Sequence, residues 1–212
     1  MNRVTFILLP AIFSFLTATG QNDPQAIAIL DSFASKASGA PSISMEFTMA
    51  RSDLAENKAD TVSGSVIICK DKYWLNMGEN IVWFNGETTW NYLKAEKEVT
   101  ITKADKKDHS FQNHPSEIFT MYKSGYKSRL VEENAGICTI DLYPVDIKSD
   151  LVRVRLSIRK NDLSLLGFEY KLKDGVDINV TIKDYNLRNK TDQSTFTFPA
   201  DKYKGVDIND MR

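Results

Sequence analysis

The stretch SISMEFTMA, residues 42–50, places Ile43, Met45, Phe47 and Met49 on one parity and Ser44, Glu46 and Thr48 on the other. Period-two alternation marks a strand with one dry face. The same pattern recurs along the chain. Tyr73, Leu75 and Met77 alternate, and Val82 and Phe84 precede the hairpin signal Asn85-Gly86. Val152, Val154, Leu156 and Ile158 oppose Arg153, Arg155 and Arg159. Leu166, Phe168, Tyr170 and Leu172 lead into an Asp174-Gly175 turn, after which Val176, Ile178, Val180 and Ile182 alternate back. Trp83 sits on the parity opposite to Val82 and Phe84, which makes it either a surface aromatic or a sign of a register offset by one.

Two segments have a different rhythm. In NDPQAIAILDSFASKASGA, Asp23 is a good N-cap, Pro24 a good first helical residue, and Ile27, Ile29, Leu30 and Phe33 form a stripe that Gly39 and Pro41 end. PSEIFTMYKSG reads as a short helix crowding Ile118, Phe119, Met121 and Tyr122 into about one turn, with Gly125 at its end. A helix this short needs a sheet to dock on. The tail STFTFPADKYKGVDIND offers one or two short strands. These elements predict a mainly β (α+β) chain: an antiparallel sheet with one wet and one apolar face, and two helices to cover the apolar side. Either the sheet rolls up and the helices plug it, or a cavity remains.

The first twenty residues carry Arg3, then an apolar run over 4–16, then Ala18-Thr19-Gly20. This is the pattern of a secretory signal peptide cleaved near Gly20, and the run is too short for a comfortable membrane span, which leaves an uncleaved anchor as the alternative. Residues 21–212 then form one exported domain, with 26 basic against 28 acidic side chains once Arg3 is removed. That balance argues against a nucleic-acid partner. Cys69 and Cys138 could pair in an oxidising compartment; the reading preferred from their spacing is two small buried hydrophobes.

The order of motifs resembles the LolA family of periplasmic outer-membrane lipoprotein carriers. DPQAIAILDSF is similar to the family's N-terminal helix, SISMEFTMA to its first strand and GSVIICKDKYWL to the next. VWFNGETTWNY resembles its SDGKTLWxY hairpin, HPSEIFTMY occupies the place of its lid helices, and FTFPADKYKGVDINDMR resembles its closing pattern. The resemblance implies an incomplete β-barrel of about eleven strands, closed by helices over an apolar cavity. That cavity takes lipoprotein acyl chains from an inner-membrane lipoprotein-releasing ABC transporter and passes them to an outer-membrane receptor. It implies a monomeric chaperone in the periplasm, with no cofactor.

On that reading the lining is Ile43, Met45, Phe47, Met49, Tyr73, Leu75, Met77, Val82, Phe84, Trp90, Ile118, Phe119 and Tyr122. Methionines suit a wall that repacks around different chains. One position departs from the family. Where well-studied members have Lys-Arg-Pro, with the arginine holding the lid, this chain has Cys69, Lys70 and Asp71. Lys70, the expected lid-gating residue, keeps the charge but not the planar fork. Two other readings stand beside the carrier. One is a same-fold carrier or sensor of another lipid. The other is a structural or interaction module whose sheet face is filled by its own side chains.

An enzyme is not expected. His109 and His114, with Asp105 or Asp108, match no closed metal site and read as solvated loop residues. The chain has no nucleophile-elbow, phosphate-loop or zinc-helix motif.

Overall fold

Strand alternation and turn chemistry decide most of the architecture. In the computed structural model, which describes residues 22–104, 111–187 and 190–212, helix α1 (Pro24–Ser38) is followed by strands β1 (Ile43–Asp53), β2 (Lys58–Cys69), β3 (Lys72–Met77), β4 (Asn80–Phe84), β5 (Thr88–Leu93) and β6 (Glu98–Lys103). Two 3-10 helices, Pro115–Phe119 and Met121–Lys123, precede β7 (Tyr126–Glu133), β8 (Ile137–Pro144), β9 (Leu151–Arg159), β10 (Leu165–Leu172) and β11 (Val176–Asn186). Two further 3-10 turns, Gln193–Phe196 and Ala200–Lys202, lead to β12 (Asp207–Asp210). The proposed signal peptide lies outside the described residues, and no helix among the described residues is long and apolar enough to cross a membrane.

The strands form one sheet in the order β12-β6-β5-β4-β3-β2-β1-β11-β10-β9-β8-β7. It is an incomplete barrel of twelve strands. The additional strand is β12, which adds to β6 in parallel, unlike the antiparallel pairs elsewhere. Turn residues behave as their chemistry requires. Gly86 and Gly175 have φ of 99° and 89° in the β4–β5 and β10–β11 hairpins, and Asn85 Oδ1 accepts from the Glu87 and Thr88 amides.

Helix α1 and the 115–123 segment cover the concave face. Asp23 caps α1 by accepting from the Gln25 and Ala26 amides. It also protects the β7 edge. Its amide donates to the Ser128 carbonyl, its Oδ2 accepts from the Leu130 amide, and the Asn22 side chain accepts from the Ser128 amide, each at 3.0 Å. The Leu130 bond, foremost, holds the Asp23 carboxyl below its ordinary pKa. The buried stripe of α1 is Ala26, Leu30, Phe33, Ala34 and Ala37. Ile27 and Ile29, which the apolar pattern favoured, lie at its half-buried margin, because small residues let the helix axis approach the sheet.

Local irregularities correct other expectations. Leu165, not Leu166, enters the core, because a bulge between Leu165 and Gly167 shifts the parity of β10. Val152 is 42% exposed because the register shifts between Lys171 and Leu172, which pair with Arg153 and Leu151 and leave Val152 bulged out. The 115–123 segment is not one α-helix: the backbone breaks at Thr120 (φ −131°) into two 3-10 pieces, which point Ile118, Phe119 and Tyr122 inward without a single helical stripe. Cys69 and Cys138 are unpaired, on β2 and β8.

Candidate functional site

The sheet register builds the concave face row by row. Ile43, Ile68, Tyr73 and Phe84 lie side by side across β1 to β4. Met45, Val66, Leu75 and Val82 form the next row, and Phe47, Gly64 and Met77 the third. Gly64 is required there: a Cβ would stand 2.5 Å from the Phe47 ring and 2.6 Å from the Asn76 carbonyl oxygen. Beyond β1 the same face continues through Val180, Phe168, Leu156 and Ile140.

All of these apolar side chains meet in one core with Ile118, Phe119 and Tyr122 of the 115–123 segment, and Met49 packs against it half-buried. The interior is filled by the protein's own groups: Phe47, Met45 and Ile118 are at most 1% exposed and Leu75 is fully buried. Phe111, in a polar stretch where the alternation gave no cue, inserts its ring between Phe47 (5.6 Å, edge-on) and Phe168 (4.9 Å). The concave space is therefore closed by parts that lie outside the sheet: α1, Phe111 and the 115–123 segment.

Two contacts fasten that segment to α1. The Phe119 and Phe33 rings pack at 5.2 Å, and the Tyr122 hydroxyl donates to Asp31 Oδ1 at 2.5 Å. Burial, followed by this bond and the nearby carboxylate, pushes the Tyr122 phenol well above its ordinary pKa. Sequence pattern marks Tyr122 as apolar lining, but its polar tip is its more specific feature; Asp31 sits on the wet side of the helix and gave no signal.

Between the end of α1, β1, β2 and the 115–119 turn lies a cleft of about 500 Å³. Its apolar wall includes Ala34, Ala37, Pro41, Ile43, Ile68 and Phe119, and Lys70 and Asp71 stand at its edge. Lys70 occupies the β2–β3 hairpin turn with φ of 58°, a left-handed conformation that disfavours non-glycine residues. Among the described residues its ammonium meets no carbonyl of the 115–123 segment. His114 lies just before that segment, His109 lies outside the described residues with Asp105 and Asp108, and no group of metal ligands occurs among the described residues.

Trp90 is placed elsewhere. It pairs with Trp83, so both share the convex face, not the concave one. Trp83 is neither a surface aromatic nor a register error: it is 4% exposed beneath Phe198 and Tyr203 of the C-terminal segment, at 5.4 and 5.7 Å. Ile81, Tyr92, Val99 and Ile101 complete this second core, with Trp74, Trp90 and Val206 against it. The four-residue run Ile81–Phe84, buried throughout, was the available signal, since a strand covered on both faces loses its alternation.

The sequence profile described as "Outer membrane lipoprotein carrier protein LolA" matches residues 16–140, more than half of the chain. No curated protein matches in sequence. Among solved structures, the fold is similar to that of an uncharacterized conserved protein from Thermus thermophilus (14% identity, 88% of this chain and 99% of that one, TM-score 0.55). A putative outer membrane lipoprotein-sorting protein domain from Vibrio parahaemolyticus (11% identity, 85% and 98%, TM-score 0.48) is also similar. So is a LolA superfamily protein from Nitrosomonas europaea (12%, 82% and 98%, TM-score 0.45).

Proposed function

The chain belongs to the LolA outer membrane lipoprotein carrier family, and from that premise we propose that it binds the acyl chains of lipoproteins in its concave interior. The observation that carries this reading is an apolar concave face closed by short, separately fastened elements instead of strands. We further assign residues 1–20 as a cleaved signal peptide and residues 21–212 as a single periplasmic carrier domain. It would load at an inner-membrane lipoprotein-releasing ABC transporter and unload at an outer-membrane receptor.

The energetics suit loose holding. Displacing Ile118, Phe119 and Tyr122 exposes three apolar side chains, at about 1.5–3 kcal/mol each. About ten buried methylenes return about 8 kcal/mol. The two sums are of similar size, so cargo is held without being trapped, and direction comes from a receptor that binds the chains more tightly. The cleft beside Phe119 is the proposed point of entry.

The self-filled interior favours, as second reading, a module that takes no ligand. Native mass spectrometry of gently purified protein, with displacement of a fluorescent fatty acid, separates the two. A bound acylated species supports the carrier; an empty protein that also fails to take up the fatty acid supports the module. The attached head group or peptide then separates a lipoprotein carrier from a carrier or sensor of another lipid.

A further inference from the structure

The three concave rows change character between β3 and β5. Ile43, Tyr73 and Phe84 give way to Thr89 and Thr102; Met45, Leu75 and Val82 to Asn91 and Thr100. The third row passes from Met77 to Asn80 on β4, then through the exposed Leu93 on β5 to Glu98 on β6. The result is a half-buried polar strip of Asn80 at the start of β4, Thr89 and Asn91 on β5, and Glu98, Thr100 and Thr102 on β6, continuous with the apolar wall and bordered by Leu93. At its far end Glu98 accepts from Thr100 Oγ1 (3.4 Å) and Asn209 Nδ2 (3.5 Å). On this face two carboxamide oxygens, Asn80 Oδ1 and Asn91 Oδ1, are buried and have no hydrogen-bond partner among the described residues. Leaving such groups unpaired is costly, and a wall meant only for acyl chains would be apolar there.

We propose that this strip is a subsite for the peptide that follows the acylated residue of the cargo; the proposal rests on the carrier reading above. A carboxamide both donates and accepts, which matches the paired N–H and C=O of an extended peptide. The described residues on the three rows over β5, β6 and β12 include the acids Glu98 and Asp207 and no cation, so a phosphate head group finds no counter-charge. The acyl chains lie over β1 to β3 and Val82 and Phe84 of β4, and the peptide leaves past Asn80 and across β5 and β6 toward the edge of the sheet.

The test measures affinity of the purified protein, and of Asn91→Leu and Asn80→Leu variants, for three probes: a synthetic dipalmitoylated cysteinyl pentapeptide, palmitic acid and lysophosphatidylglycerol. The expected result is a loss of about tenfold for the lipopeptide in each variant, with palmitate changed by less than about twofold. Retained palmitate binding shows that the variant is folded. Equal losses for lipopeptide and palmitate, or no loss for either, overturn the subsite. A loss for the lysophospholipid alone overturns it in favour of a head-group site. If the unmodified protein binds none of the three, the carrier reading itself fails, and the subsite with it.

Discussion

Strands β5–β6 and β9–β10 belong to one sheet and alternate equally well, yet they are built inside out relative to each other. On β9 and β10, Val154, Leu156, Ile158, Phe168 and Tyr170 face the concave core, while Arg153, Arg155, Glu169 and Lys171 face outward. On β5 and β6, Thr89, Asn91, Thr100 and Thr102 occupy the concave side, while Trp90, Tyr92, Val99 and Ile101 turn outward beneath the C-terminal segment. Alternation specifies that two faces differ; it does not specify which one is inside. That is decided by what covers each face, here residues remote in sequence: α1 and the 115–123 segment on one side, Phe198, Tyr203 and Val206 on the other. Strand β4, buried on both faces, is where the exchange takes place.

Removing the outer cover should have the largest effect. Phe198→Ala deletes a ring that packs on Trp83 and Tyr203 and should lower unfolding free energy by about 3 kcal/mol, read from the denaturant midpoint. Fatty-acid affinity should stay within about twofold, because the ring packs in the separate core on the convex side. A large loss of affinity without loss of stability would reverse the assignment of faces.

The convex side of β8–β10 is held differently. Asp141, with its side chain only 2% exposed, accepts from Arg155 Nε at 2.7 Å and Nη2 at 2.9 Å and from the Tyr143 hydroxyl at 3.0 Å, with Arg153 at 3.6 Å. Burial alone would raise its pKa; the Arg155 and Tyr143 hydrogen bonds and both guanidinium charges outweigh it and leave the carboxyl below its ordinary value. A depressed folded pKa contributes stability that is present above the unfolded value, about 3.8, and is lost as pH falls through the lower folded value. Asp141→Asn should cost about 2 kcal/mol at neutral pH and remove part of that acid dependence. An unchanged pH–stability curve in the variant would show that the ion ladder is incidental.

These two cases also mark what the sequence disclosed. The strands, the Asn85-Gly86 and Asp174-Gly175 hairpins and the Asp23-Pro24 helix start were legible, because each rests on local periodicity or on the geometry of one or two residues. Eleven of the thirteen expected lining residues, Ile43 through Tyr122, meet in one buried core, and Met49 packs against it. Trp90 was misplaced because its face depends on pairing with Trp83 and on a tail more than a hundred residues away. Phe111 and the Asp31–Tyr122 bond are likewise long-range and leave no periodic trace.

Within the concave cover, Tyr122→Phe removes only the bond to Asp31 and keeps the ring. It should weaken closure by about 1 kcal/mol and speed hydrogen exchange over 115–123 about fivefold, while β9 is unaffected. Added fatty acid should restore protection if the segment is a lid. Equal protection in both regions of the variant, with and without ligand, would show that the segment does not move on its own.

The smallest expected effect separates two roles for Lys70. Its φ of 58° is a turn requirement that glycine meets with less strain, so Lys70→Gly should be neutral or stabilise by about 0.5 kcal/mol. If Lys70 also gates, as the family's arginine at the matching place suggests, the same substitution removes the cation at the edge of the cleft beside Ser116, Phe119 and Thr120 and changes the rate of cargo release. The two consequences are read independently: a thermal midpoint reports the turn, and timed transfer from loaded protein to acceptor vesicles reports the gate. Lys70→Leu supplies the contrast, since it keeps the strained turn, adds apolar contact at the cleft and should slow release. Release at the original rate in both variants, with only the midpoint moved, assigns Lys70 to the turn alone and leaves closure to the Tyr122–Asp31 and Phe119–Phe33 contacts.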